Sequence, residues 1–225
     1  MTGGAAQAVF RGLIVCGGDP PPPWLLAEEE ARADLVVYTD GAACGEAIQG
    51  RRIDVVIGDM DSIATPVPGV RIVDCGPHSV QENSDSEKAV LHVISAAAES
   101  GLEGPNHVIV RMLGADGGRI DHTLANVLLS ARYAASADVR LVGGSWELWA
   151  VEGRRELGLG VGTAVSLLPL AVGVHITTYG LRWPLDEVVE PGSRGLSNEV
   201  VVSNASIDVA GGSVIVVALT TGQAS

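Results

Sequence analysis

The chain has 225 residues, with 14 Lys plus Arg against 27 Asp plus Glu and a formal net charge of −13. That balance excludes the basic footprint that nucleic-acid backbones and anionic membranes attract. Lys88 is the one lysine and follows Glu87, so a Gly-Lys phosphate loop of the Walker type is excluded as well. An apolar share of 47% excludes a disordered chain, and the few aromatics (Trp 4, Tyr 3, Phe 1) leave the core to Ala, Val, Leu and Ile.

The N-terminal MTGGAAQAVFRG lacks the charged and apolar regions of a signal peptide, and no apolar run reaches the ~18 residues of a membrane span. A cytoplasmic protein is expected. Cys16, Cys44 and Cys75 are scattered and odd in number, so they read as small core hydrophobes rather than a disulfide framework.

Leu13–Cys16 is a short apolar strand candidate ended by Gly17-Gly18, and the stiff Pro20–Pro23 leads into a helix over Trp24–Arg32. Leu35–Thr39, Ile53–Ile57, Val70–Val73 and Val108–Leu113 are further strand candidates, three of them ended by Asp40-Gly41, Gly58-Asp59 and Gly114. Ser84 and Glu87 form a capping-box pattern, followed by the helical stripe Val90, Val93, Ile94 and Ala97, with Gly101 as the stop. A second helix starts near Arg119, with Ile120, Leu124, Val127 and Leu128 on one face. Apolar strands alternating with helices predict a parallel sheet covered on both faces.

Beyond about Leu141 the pattern becomes short β runs: Glu147–Val151, Thr163–Leu168, Val174–Thr178, Glu199–Ser203 and Ser213–Leu219. Gly211-Gly212 reads as a two-residue hairpin turn. The expected architecture is α/β: a parallel-sheet, Rossmann-like nucleotide domain over 1–143, then an all-β, sandwich-like domain over 144–225.

Asp40, Asp59 and Asp61 follow directly on predicted strands, at the sheet edge where parallel folds bind ligands. Asp59-Met60-Asp61 places two carboxylates two residues apart, which suits Mg²⁺; a solvated turn is the alternative. Asp85, in the first turn of a capped helix, suits either a cation or the helix dipole. Gly114–His122 has the opposite character, with glycines opening backbone N–H groups to an anion and Arg119 adding a bidentate cation. Asp121-His122 is either an acid–base pair or an ordinary structural pair. Carboxylates for a cation beside a Gly/Arg loop are chemically sufficient for Mg-dependent phosphoryl-type transfer.

Taken together, these segments resemble the thiamine pyrophosphokinase family. Tyr38–Ala42 is similar to its A-D-G-G segment, Ile57–Ser62 to G-D-F-D-S, Gln81–Lys88 to Q-D-x-T-D-x-x-K, and Leu113–Asn126 to G-x-x-G-G-R-x-D-H. Ser166–Pro169, Thr177–Leu185 and Ser197-Asn198 resemble the S-L-I-P, T-T-x-G-L-K-W-x-L and S-N segments. The match spans roughly residues 12–220. Thr39, Ala42, Met60 and Glu82 depart from the pattern, and none of these changes removes a metal carboxylate.

The resemblance implies transfer of a pyrophosphoryl group from ATP to the hydroxyl of thiamine, giving thiamine diphosphate and AMP, in a homodimer with the thiamine site near the interface. It implies Asp59, Asp61 and Asp85 as Mg²⁺ ligands, with Asp121 beside the reacting phosphates. Asp40, Gly117, Gly118, Arg119 and His122 would contact ATP. Gln81, Glu82, Trp183, Ser197 and Asn198 would contact thiamine; Trp is the best face for a cationic ring. Two other readings remain open: a pyrophosphokinase for another heterocyclic alcohol such as a pterin, and a non-catalytic binding regulator of the same fold.

Overall fold

A computed structural model describes residues 8–43, 48–59, 70–74 and 83–220. Twelve strands and three α-helices follow in the order β1 (Phe10–Val15), α1 (Pro23–Arg32), β2 (Leu35–Thr39), β3 (Val55–Gly58), β4 (Arg71–Asp74), α2 (Asp85–Glu99), β5 (Val108–Leu113), α3 (Ile120–Arg132), β6 (Asp138–Val142), β7 (Trp146–Glu156), β8 (Ala164–Pro169), β9 (Val174–Tyr179), β10 (Asp186–Val189), β11 (Asn198–Glu199) and β12 (Ser206–Leu219). A 3-10 turn over Asp40–Ala42 follows β2.

The first six strands are parallel, in the order β4-β3-β2-β1-β5-β6. Alternate residues serve opposite faces, as the pleat demands. Leu13, Val15, Val36, Tyr38, Val56 and Leu113 pack against Leu25 and Leu26 of α1. Ile14, Val37, Val55, Ile57, Val110 and Met112 pack against Val90, Val93 and Ala97 of α2. Burying each such Leu or Val stabilises by roughly 1.5–3 kcal/mol, so the apolar stripe of α2 is what fixes it on the sheet.

The sheet then continues without a break. β6 pairs antiparallel with β7, Arg140 opposite Trp149 and Leu141 opposite Leu148, so one ladder crosses position 143/144. β12 pairs along β7 on one edge. On its other edge it pairs first with β9 (Ser206–Ala210) and then with β8 (Val214–Leu219). A separate apolar core that includes Trp149, Leu157, Leu167, Ile176, Ile207 and Val216 fills this half.

Several sequence expectations need correction. Gly211-Gly212 is not a hairpin turn. It lies inside the single 14-residue β12, where the register shifts between Val209 and Val214. Gly211 has φ +83°, and this bulge bends the strand so that it can serve two partners. The Glu199–Ser203 run forms only the short β11 plus a bridge from Val200 to Leu181. The first half of β12 and all of β10 and β6 were not among the predicted strands.

The stripe on α3 does share a face, but much of it points outward. Ile120, Leu124 and Leu128 are 71%, 58% and 55% exposed, while Asn126, Leu129 and Ser130 face inward. The capping box is half formed. Ser84 accepts from the Glu87 N–H at 3.3 Å, but the Glu87 carboxylate accepts from Tyr133 (2.7 Å) and pairs with Arg132 (3.2 Å), tying α2 to α3.

Candidate active site

The strand order reverses between β1 and β5, and a parallel sheet opens a crevice at the carboxyl ends of the strands there. The sequence places glycines at both ends, and the structure uses them to bring two loops together. Gly18 N donates to Gly114 O at 2.9 Å and Asp19 N to Asp116 O at 2.8 Å. A β-carbon on Gly18 would overlap the carbonyl oxygens of Asp116 and Gly114, and one on Gly117 (φ +81°) would overlap the Asp19 carboxylate. From α3, Asn126 donates to Ala115 O at 2.8 Å and anchors the second loop.

A crevice of about 750 Å³ lies over these loops. Asp40, Asp85, Gly117, Gly118, Arg119 and His122 line it, so six of the expected site residues come together. Among the described residues the crossover helices begin at this edge, so the N-termini of α2 and α3 both open on the crevice, a favourable setting for phosphate.

Asp40 is 5% exposed and accepts from the Gly41 N–H at 2.6 Å. Asp59 follows β3 and is half-buried. Lys88 donates to Asp85 at 2.9 Å, so the single lysine lies on one of the expected metal ligands. Cys16 is buried in the crevice floor beside Ser86, and burial pushes its thiol up to about 11, which makes it inert.

Arg119 is exposed and pairs with Asp121 through two hydrogen bonds of 3.1 and 2.5 Å. The hydrogen bond from Arg119 holds the Asp121 carboxyl down at about 2.

Asp59 and Asp85 offer only hard carboxylate oxygens, the donor type Mg²⁺ takes together with water and substrate phosphates. Among the described residues no three His, Cys, Asp or Glu side chains form a ready cluster. Asp61, Gln81, Glu82 and two of the cysteines, Cys44 and Cys75, lie outside the described residues.

The expected thiamine residues of the β half are grouped, but away from this crevice. Asn198 is buried; its amide donates to Trp183 O at 2.6 Å and accepts from the N–H groups of Trp183 (3.1 Å) and Glu199 (2.9 Å). It therefore holds the turn that presents Trp183, which is 55% exposed. Ser197, with φ +57°, donates its N–H to Ser166 Oγ at 3.0 Å. Trp183 and Ser197 do not line the crevice of their own chain.

Sequence reading missed Cys16, Gly17, Gly18, Asn83 and Ser86 as crevice residues. The Gly-Gly pair directly after the first strand was the available signal for that side.

The fold and crevice define an α/β protein with a crevice at the switch point of a parallel sheet and a β half joined to its edge. Family models match in the same order: "Thiamin pyrophosphokinase, catalytic domain" over residues 26–142 and "Thiamin pyrophosphokinase, vitamin B1 binding domain" over residues 154–214. The chain belongs to the thiamin pyrophosphokinase family.

Solved structures share the fold. Thiamin pyrophosphokinase from Geobacillus thermodenitrificans is 22% identical, with a TM-score of 0.72 over 95% of this chain and 99% of its own. The Bacillus subtilis enzyme is 20% identical, with a TM-score of 0.71 over 93% and 99%. The yeast enzyme is 19% identical, with a TM-score of 0.71 over 95% and 87%. No curated protein sequence matches closely enough to count as a relative. Among the described residues no helix is long and apolar enough to cross a membrane.

Proposed function

We propose that the chain transfers the terminal pyrophosphoryl group of ATP to the hydroxyl of thiamine, releasing AMP. The observation that carries the chemistry is the switch-point crevice. It joins two helix N-termini, a glycine loop, an arginine and several carboxylates in one space of nucleotide size. Residues 1–143 form the ATP- and Mg²⁺-binding, Rossmann-like part and 144–225 the sandwich-like thiamine part.

Asp59, Asp61 and Asp85 would hold Mg²⁺, which when bound offsets the triphosphate charge. The backbone of Gly117 and Gly118 and the start of α3 receive phosphate oxygens. Arg119 and His122 flank them, and Asp40 fixes the nucleotide from the β2 side. When Arg119 turns to a phosphate, Asp121 loses the partner that depresses its basicity. It then becomes a better acceptor for the thiamine hydroxyl proton as that oxygen attacks the β-phosphorus. AMP leaves with the electrons of the broken P–O bond.

Gln81, Glu82, Trp183, Ser197 and Asn198 form the thiamine side, Asn198 acting by holding Trp183. Trp183 lies outside the crevice of its own chain, and α3, whose first turn borders the crevice, exposes Ile120, Leu124 and Leu128. Both features support a homodimer in which one chain's Trp183 meets the other's crevice, and the proposed setting of this enzyme is the cytoplasm.

The test is AMP formation with ATP, thiamine and Mg²⁺. Activity should require all three and fall at least about a hundredfold in Asp61→Asn and in Asp85→Asn, with melting temperature retained. Full turnover by either variant at saturating Mg²⁺ removes the metal assignment. AMP release independent of thiamine removes the substrate.

A further inference from the structure

A second cavity, of about 310 Å³, lies at the other end of the parallel sheet. It is built on the amino-terminal halves of β1 and β5, on β6 and on the last turn of α1, away from the crevice at the strands' carboxyl ends. Its charged lining is Arg11, Arg32, Arg111 and Arg140 against Glu29 and Asp138. Arg32 pairs with Glu28 at 2.6 Å, so among the described residues Arg11 is the lining cation without an ion pair.

The register explains the crowding. Arg111 on β5 stands directly opposite Arg140 on β6, a like-charge pairing that is unfavourable unless bridged. Glu147 of β7 bridges them, at 2.9 Å to Arg111 and 3.2 Å to Arg140. Glu29 takes Arg111 at 3.1 Å, and Asp138 takes both Arg140 and Arg155.

Two polar atoms are left over. Arg111 Nε is a buried donor and Asp138 Oδ1 a buried acceptor, each without a hydrogen-bond partner. The Asp138 side chain is only 3% exposed. Native proteins rarely strand such atoms, and here a donor and an acceptor are stranded on neighbouring strands of one cavity. Arg11 stands exposed at the mouth, and among the described residues no hydrogen bond or ion pair holds its guanidinium.

We propose that this cavity binds a phosphate group that keeps at least one proton, as free phosphate or as a phosphomonoester. An oxyanion oxygen accepts from Arg111 Nε and from Arg11, while the P–OH donates to Asp138 Oδ1. Sulfate has no proton to donate at neutral pH and would set an acceptor against the Asp138 carboxylate. The carboxylate is therefore the selectivity element, and the arginines supply the attraction.

The test is calorimetric titration of the full chain at pH 6, without nucleotide or thiamine, with inorganic phosphate, glycerol 2-phosphate and sulfate. Phosphate should bind saturably, with sulfate at least about tenfold weaker. Glycerol 2-phosphate tells whether the site admits a monoester or only the free ion. Arg11→Ala, which breaks no structural contact, should weaken phosphate binding at least about fivefold. The Arg11-dependent isotherm should persist in Arg119→Ala, which removes a cation from the phosphate side of the crevice. Equal binding of sulfate, loss of binding in Arg119→Ala rather than Arg11→Ala, or no saturable phosphate binding overturns the proposal.

Discussion

Gly58 and Asp40 share one volume between the ends of β3 and β2: a β-carbon on residue 58 would overlap the carboxyl carbon of Asp40. The glycine before Asp59 therefore serves its neighbour strand, letting Asp40 lie buried at the crevice edge. Gly58→Ala should push Asp40 aside and weaken ATP binding by at least about tenfold, because ångström displacements in a binding constellation are costly. Calorimetric ATP titration, with a melting curve as control, checks this; unchanged affinity would separate Asp40 from the nucleotide.

The Arg119–Asp121 pair gives a pH prediction. The Asp121 carboxyl is depressed to about 2, below the ~3.9 of a free aspartate. The pair's contribution is therefore present above ~4 and fades as pH falls through about 2. Asp121 should produce no break in folding stability between pH 5 and 9. In Arg119→Ala its titration midpoint, followed by carboxyl NMR, should rise from about 2 toward ~3.9. A midpoint that stays low would mean something other than Arg119 holds it.

Asp138 is buried and carries two arginine partners, Arg140 on its own strand and Arg155 on β7. Asp138→Ala strands Arg155 and leaves Arg140 with Glu147 alone. It should cost ~3–5 kcal/mol, the usual penalty for breaking a buried ion pair from one side. Urea denaturation measures it; a loss under ~1 kcal/mol, typical of exposed pairs, would show the network to be solvated.

Trp183→Ala should raise the KM for thiamine by roughly threefold to thirtyfold, the range of cation–π contacts, while ATP affinity stays constant. Asn198→Ala should shift thiamine KM in the same direction, since its amide holds the Trp183 backbone through both N–H and carbonyl. Steady-state kinetics with each substrate varied in turn separates the two effects.

Much of the parallel half was legible in the sequence because its signals are local. Leu35–Thr39 and Val108–Leu113 coincide with β2 and β5, and Ser84 caps α2 as expected. Six expected crevice residues could be placed because strand ends and glycines mark the ligand edge of such sheets. The failures share a different cause. Gly211-Gly212 has the local signature of a turn, and only the partners on either side make it a bulge. β6 was missed as a strand because Asp138 and Arg140 interrupt its apolar run, and those charges make sense only against Arg111 of β5 and Glu147 and Arg155 of β7. The α3 stripe has helical spacing, but spacing alone does not say which face the rest of the chain covers.

The ladder from β6 to β7 has a mechanical consequence. Adjacent backbone hydrogen bonds join the parallel half to the β half, and the Asp138–Arg155 pair rivets the same seam. Such a seam transmits torque between the parallel and antiparallel halves rather than acting as a hinge. Cutting the chain at 143/144 would bare β6 as a raw edge, a template for self-association. The two halves should therefore melt as one cooperative unit.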